Sequence, residues 1–290
     1  ASNFGLKCFK TLLKIKQCEV VGAITAPKNF KISYNPNGVK NFLHANLKDF
    51  CRSIEVPCYE ITTGMKDESL FKKIQNLKPD IFIVVGWYHM VPRNWRDLAP
   101  AYGMHASLLP KYSGGAPLVW SIINGEKQTG ITLFKFSDGV DDGPILGQYK
   151  TPIYAKDDIA SVYRRIELLG TKLLRKYLPI LSEGKHKLIT QNEDFRSLYP
   201  QRSPEDGLID WNKSTRDAYN FIRAQTSPYP GAFSYLSGKK VIIWSGRPSR
   251  LKDTHNLKSG EIIKKNSNVY VKTGDGFYVV KEIQYKKSKY

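Results

Sequence analysis

The chain has 290 residues, a formal net charge of +19 from 45 basic and 26 acidic side chains, and a 41% hydrophobic content. That length supports a sizeable core and more than one domain, and no apolar run is long enough to cross a bilayer. Its four cysteines form no C-x-x-C pair and no zinc-ligand spacing, which argues against a disulfide scaffold or a zinc module; with no secretory leader, the expectation is a cytoplasmic protein with reduced thiols and no metal site.

The first two thirds alternate helical and strand-like segments. Residues 4–16 repeat apolar side chains at helical spacing, and 19–25 (EVVGAIT) is a short β-rich run. Residues 28–40 read as a loop with Lys28, Lys31 and Lys40 and no arginine. Residues 41–53 are again helical, 56–59 a strand, and 67–77 an amphipathic helix stopped by Pro79. Residues 80–86 (DIFIVVG) are continuously apolar, as buried parallel strands tend to be. Residues 130–136 (GITLFKF) give another strand, and 159–181 a long helix. The alternation predicts a Rossmann-like parallel sheet with helices on both faces. Such a sheet normally opens on a strand, whereas residue 1 leads almost directly into a helix, so a first strand is expected to be missing and a gap to remain in the sheet.

The expected catalytic domain spans residues 1–184, with a linker of little periodicity at 185–203. The texture then changes: short β-rich runs (AFSYL, KKVIIW, GEIIKK, NVYVKT, GFYVVKEIQY) split by turns predict a small OB-like β-barrel domain at 204–290. Residues 201–290 hold 17 basic and 8 acidic side chains, a denser positive charge than the remainder. This suits a partner with phosphates without requiring one.

Ligands of open α/β sheets bind beyond the carboxyl ends of strands. Three such ends meet at one rim in this reading: GWYHMV after one strand, His105 in YGMHASLLP, and SDGVDDG after GITLFKF. They bring a histidine and the aspartates Asp141 and Asp142 together, a pairing suited to proton transfer in acyl chemistry. No G-x-S-x-G motif occurs and no cysteine neighbours a histidine, so a substrate group would accept the acyl unit. His89 stands at a strand end and can simply line the rim. His44, His186 and His255 lack companions and are expected to be surface or packing residues.

The block HASLLPKYSGGAPLVWSIINGEKQTGITLFKF, followed by DGVDDGPIL, resembles the signature of the 10-formyltetrahydrofolate-dependent formyltransferase family. DGLIDWN and FIRAQTSPYPGAFSYLSGKKVIIW are similar to its carboxyl-terminal domain in methionyl-tRNA formyltransferases and in amino-sugar nucleotide N-formyltransferases. The resemblance implies transfer of a formyl group from 10-formyltetrahydrofolate to a primary amine. It implies an Asn–His–Asp catalytic set, of which His105 and Asp141 match two members, while Gly103 stands where the family has asparagine. It places the folate against Gly86, Trp87, Tyr88, His89, Met90 and Val91, against the turn Ser107, Leu108, Leu109 and Pro110, and against Ser137, Asp138, Gly139, Val140 and Asp142. Lys111, Tyr112, Gly114, Gly115 and Pro117 would face the acceptor.

Glycine has no side-chain donor for the formyl oxygen, so low or absent turnover in a folate-binding relative is one expectation. The arginine-free loop at 28–40 and the arginine-free KYSGGAP favour an amino-sugar nucleotide as acceptor. The basic second domain favours initiator methionyl-tRNA, whose affinity would rest on phosphate contacts. No membrane partner is expected, and the chain is expected to be a monomer or homodimer.

Overall fold

The computed structural model of the chain describes residues 1–32, 35–62, 64–251 and 256–285. In chain order the elements are α1 (Asn3–Leu12), β1 (Ala23–Thr25), β2 (Asn29–Ile32), β3 (Asn35–Lys40), α2 (Leu47–Ser53), β4 (Cys58–Glu60), α3 (Glu68–Asn76), β5 (Phe82–Val85), α4 (Arg93–Leu98), β6 (Ala101–His105), β7 (Ser113–Gly114), α5 (Pro117–Ile123), β8 (Gln128–Lys135), β9 (Ile145–Pro152), α6 (Ile159–Ser182), β10 (Leu198–Tyr199), α7 (Thr215–Gln225) and β11 to β15 (Ala232–Leu236, Lys239–Pro248, Ile262–Lys265, Asn268–Lys272, Phe277–Tyr285). They belong to two compact units. One comprises Ala1–Ser113, Gly130–Lys150 and Arg165–Leu198; the other comprises Gly114–Thr129, Thr151–Arg164 and Tyr199–Tyr290.

The first unit is built of strands and helices in alternation, as expected, but its sheet is neither continuous nor all parallel. Among the described residues β1 pairs in parallel with β4 alone. A separate sheet has the order β5-β6-β8-β9, in which β5 and β6 are parallel and β8 runs antiparallel to β6. Only Ala23–Thr25 of the expected strand at 19–25 is paired, and β5 is half-buried along its whole length instead of enclosed. The reason is geometric. A cavity of about 770 Å³ has walls from both sheets, with Ala23 and Ile24 on one and Ile83, Val84 and Val85 on the other. Each of these strands therefore has a neighbour on one edge only, and a strand is sheltered by neighbours on both.

Local chemistry sets the helix starts. Ser2, Asn46 and Asp67 each accept a backbone N–H of their helix, satisfying one orphan donor. The helix expected over 41–53 is confined to Leu47–Ser53 because Asn46 caps it, and the following strand begins at Cys58. The 28–40 loop is instead the hairpin β2–β3, with Ser33 and Tyr34 outside the described residues. His186 packs edge-on against Tyr102 with ring centroids 6.4 Å apart, and His44 bridges to Ser2. His255 lies outside the described residues. The four cysteines are unpaired, and burial pushes the Cys51 thiol up to about 12, which leaves it uncharged and unreactive.

The second unit has a five-stranded sheet in the order β11-β12-β15-β14-β13, with all four neighbouring pairs antiparallel. Its core gathers Ile209, Trp211, Ala218, Ile222, Ile243, Val271 and Tyr278. Two buried-side cations draw in the earlier segments. Arg223 donates to the carbonyls of Tyr154 (3.1 Å) and Asp157 (2.6 Å), and the Arg202 guanidinium lies 4.7 Å from the Trp120 ring centre. Among the described residues no helix is long and apolar enough to cross a membrane.

Candidate active site

The site forms within the first unit, at the carboxyl end of β6. Gly103 and His105 are two residues apart on that strand and so face the same side of the sheet. His105 Nε2 lies 2.7 Å from the carbonyl oxygen of Tyr112, and Nδ1 lies 3.4 Å from Asp141 Oδ2. The two side chains are only 11% and 21% exposed, so their interaction is shielded from bulk water. A carbonyl can only accept, so Nε2 carries the ring's proton and donates it to Tyr112. In its neutral form the ring presents the Nδ1 lone pair beside the carboxylate, and in its protonated form Nδ1–H donates to it. A proton arriving at Nδ1 makes an imidazolium whose charge Asp141 balances.

The turn after β6 is fixed from several sides. Ser107 Oγ donates to the Lys111 carbonyl (2.7 Å), Thr132 Oγ1 donates to the Ser107 carbonyl (2.7 Å), and Gln148 Nε2 donates to the Leu109 carbonyl (2.8 Å). Leu109 is buried with Phe134 and Ile145. Tyr112 has a φ of 59°, a left-handed conformation held by this network, and it aims the carbonyl at His105.

The acidic turn supplies the other half. Asp141 has a φ of 54°, tolerated by aspartate better than by most residues. Ser137 Oγ donates to Asp142 Oδ1, and a side chain at Gly143 would overlap the Lys135 carbonyl, so the turn admits only glycine there. Asp138 is ion-paired with Arg96, which holds its carboxyl below the usual carboxylate range. Arg96 Nε also donates to the Val91 carbonyl at 3.1 Å. One guanidinium thus ties the Asp138 turn to the segment Gly86–Val91, the two stretches expected to face the folate.

In that segment Phe30 packs on Tyr88 (5.1 Å between ring centres) and on His89 (5.7 Å), and Trp87 packs on His89 (5.6 Å). Trp87 Nε1 and His89 Nε2 are buried with no hydrogen-bond partner. A buried donor left unpaired costs on the order of 1–3 kcal/mol, so Trp87 Nε1, whose residue lines the cavity, fits a polar heterocycle bound there. Gly86, Trp87, Tyr88 and Val91 line the 770 Å³ cavity, while Met90 is exposed and His105 and Asp141 lie outside its lining. Gly114, Gly115 and Pro117 belong to the second unit, where a side chain at Gly115 would overlap the backbone of Gln201 and Pro117 opens α5.

Burial holds the His89 imidazole below its ordinary value of 6.5. The folded chain then keeps His89 neutral where the unfolded chain already binds a proton, so stability is full above about pH 6.5 and falls as pH drops through that value. The expected result is a melting temperature that declines from pH 7.5 to 5.5 less steeply in His89→Gln than in the parent chain. Equal slopes in the two proteins would assign the decline to other groups.

At Gly103 an added Cβ would overlap the Phe136 ring at Cε1 and Cζ. Phe136 stacks on Phe134 at 5.2 Å, and its backbone N–H bonds to the Ala101 carbonyl at 2.8 Å. The side of the strand where the family's asparagine would project is therefore filled by an aromatic ring. Sequence reading missed Phe136, Arg96, Gln191 and Ser197, which touch or hold the site; only the phenylalanine carried a signal, a bulky residue two beyond the strand position opposite Gly103.

Against known proteins, the Formyl transferase family model matches residues 18–178, and the model of the family's C-terminal domain matches 202–290. The chain belongs to the formyl transferase family. It is 42% identical over 178 residues to the bifunctional polymyxin resistance protein ArnA of Wigglesworthia glossinidia brevipalpis, a match covering 61% of this chain and 27% of that relative's length. Three solved structures share the fold. HypX from Aquifex aeolicus, in complex with tetrahydrofolic acid, has a TM-score of 0.65 at 21% identity, covering 93% of this chain and 45% of that one. The N-formyltransferase from Helicobacter canadensis, in complex with folinic acid and dTDP-3-aminofucose, has a TM-score of 0.60 at 18% identity, covering 92% of this chain and all of that one. Methionyl-tRNA formyltransferase from Clostridium thermocellum has a TM-score of 0.56 at 19% identity, again covering 92% and 100%. The chain spans about a quarter of the length of that curated relative and under half of HypX.

Proposed function

We propose that this enzyme transfers the formyl group of 10-formyltetrahydrofolate to the primary amine of an amino-sugar nucleotide. The observation that carries the reading is the His105 ring, with Nε2–H committed to Tyr112 and Nδ1 beside Asp141. The folate derivative supplies the formyl carbon, which exchanges its bond to the folate nitrogen for one to the acceptor amine. The amine must lose a proton as that bond forms. His105 Nδ1 takes it, Asp141 stabilises the resulting charge in a shielded setting, and the imidazolium returns the proton to the folate nitrogen as its bond to the formyl carbon breaks. The unpartnered Trp87 Nε1 supports folate binding at Gly86–Val91.

For the acceptor, the support is the arginine-free hairpin β2–β3 and KYSGGAP, together with the fold shared with the Helicobacter canadensis enzyme. A second reading, formylation of methionyl-tRNA, is favoured by the 17 basic against 8 acidic residues at 201–290. The deciding experiment offers 10-formyltetrahydrofolate with methionyl-tRNA or with a panel of dTDP- and UDP-linked amino sugars. The expected outcome is turnover of an amino sugar, with tRNA not formylated. Turnover of methionyl-tRNA alone, with binding that weakens steeply as salt rises, would reverse the assignment.

A further inference from the structure

The segment Ile189–Ser197, expected to be a linker, grips both halves of the active site. Ile189 and Ile145 exchange backbone hydrogen bonds of 2.7 and 2.8 Å, anchoring the segment at the start of β9. Gln191, 7% exposed, donates from Nε2 to the carbonyls of Asp141 (2.8 Å) and Gly143 (2.7 Å). Arg196 donates to the Val140 carbonyl at 2.5 Å. At its far end the segment meets the turn that holds the histidine: Ser197 Oγ accepts the Tyr112 N–H (2.9 Å), and the Ser197 N–H donates to the Pro110 carbonyl (3.3 Å). Tyr112 is the residue whose carbonyl orients His105.

We propose that Gln191, with Ser197, is a positioning residue that sets the separation between His105 and Asp141, so that Ile189–Ser197 acts as a clasp across the site. Gln191 fits this role by its chemistry. One amide nitrogen carries two protons and can satisfy two carbonyls at once, and here both belong to a turn whose Asp141 is held left-handed. No titratable atom of Gln191 joins the reaction. Its contribution is to keep the carboxylate within reach of Nδ1, where a displacement of about 1 Å is enough to lower a rate by roughly 10²-fold.

The inference rests on the reading of His105 and Asp141 as the reacting pair, and the test separates the two. Gln191→Met keeps the length and removes both donors; Ser197→Ala removes the acceptor at the other end and serves as a second variant should the first not fold. Each is expected to lower kcat by about 10- to 100-fold, with KM for the folate donor within about twofold of the parent. In an Asp141→Ala background, Gln191→Met should lower kcat by less than about twofold, because the carboxylate it positions is already gone. An equal fractional loss in both backgrounds would overturn the proposal. Amide hydrogen exchange over residues 139–143 gives a readout independent of turnover. Faster exchange in Gln191→Met is expected, and unchanged exchange there also overturns the clasp, even if no acceptor is ever found.

Discussion

Asparagine at position 103 lowers stability and adds no activity unless Phe136 is cut back at the same time. The family's asparagine would place a hydrogen-bond donor near the formyl oxygen, so Gly103→Asn looks at first like a simple gain. Packing argues otherwise, because even the Cβ of residue 103 would overlap the Phe136 ring. That ring cannot swing freely, since it lies against Phe134 and the Leu109–Ile145 cluster. Overfilling a packed site typically costs about 1–3 kcal/mol. The double variant Gly103→Asn with Phe136→Ala removes the obstruction and gives the amide room. A well-aimed oxyanion donor contributes about 10²–10³ in rate, and imperfect placement will realise only part of it; the expectation is a kcat at least about tenfold above the single variant. Melting temperatures and kcat for the parent, both single variants and the double variant decide the matter. If the asparagine variant is as stable as the parent, or if the double variant gains nothing, positions 103 and 136 are not coupled.

That coupling shows where the sequence was readable and where it was not. The nearness of His105 and Asp141 was expected from carboxyl ends sharing one rim, but β8 runs antiparallel to β6, so its carboxyl end lies beside Tyr102 and the turn that follows folds back to bring Asp141 to His105. The alternation of strands and helices was legible from periodicity, and it placed α3, α6 and β5 close to their observed positions. The contents of space were not legible. Nothing local in GITLFKF says that its second phenylalanine fills the side of β6 left bare by Gly103, a contact between residues 33 apart.

Strand pairing was also beyond local reading. Antiparallel addition of β8 to β6 is a long-range choice, and periodicity reports which residues are apolar but not which edge they meet. The same limit explains the half-buried β5. Its continuous apolar run implied neighbours on both sides, yet one edge faces the cavity. The clasp was missed for a different reason. Residues 185–203 lack periodicity because their side chains serve single polar contacts rather than a repeating apolar face, and such contacts leave no pattern in sequence.

His105→Ala should lower kcat by about 10²–10⁴-fold, the usual loss when a general base is removed. The Asp141 variants test the proton placement more sharply. With Nε2–H committed to Tyr112, the neutral ring offers only the Nδ1 lone pair to its neighbour. In Asp141→Asn the new amide will turn its N–H toward that lone pair, occupying the atom that must take the amine's proton. Asp141→Ala leaves the lone pair open and removes only the compensating charge. Asparagine tolerates the left-handed φ of 54° better than alanine does, so a purely structural role for residue 141 predicts that the alanine variant is worse. The proton placement predicts the reverse, with kcat of Asp141→Asn about tenfold or more below that of Asp141→Ala despite a higher melting temperature. His105→Ala combined with Asp141→Asn should fall no further than His105→Ala alone, since the carboxylate acts through the ring. Multiplicative losses in the double variant, or an alanine variant slower than the asparagine one, would show that Asp141 acts on the substrate and not on His105.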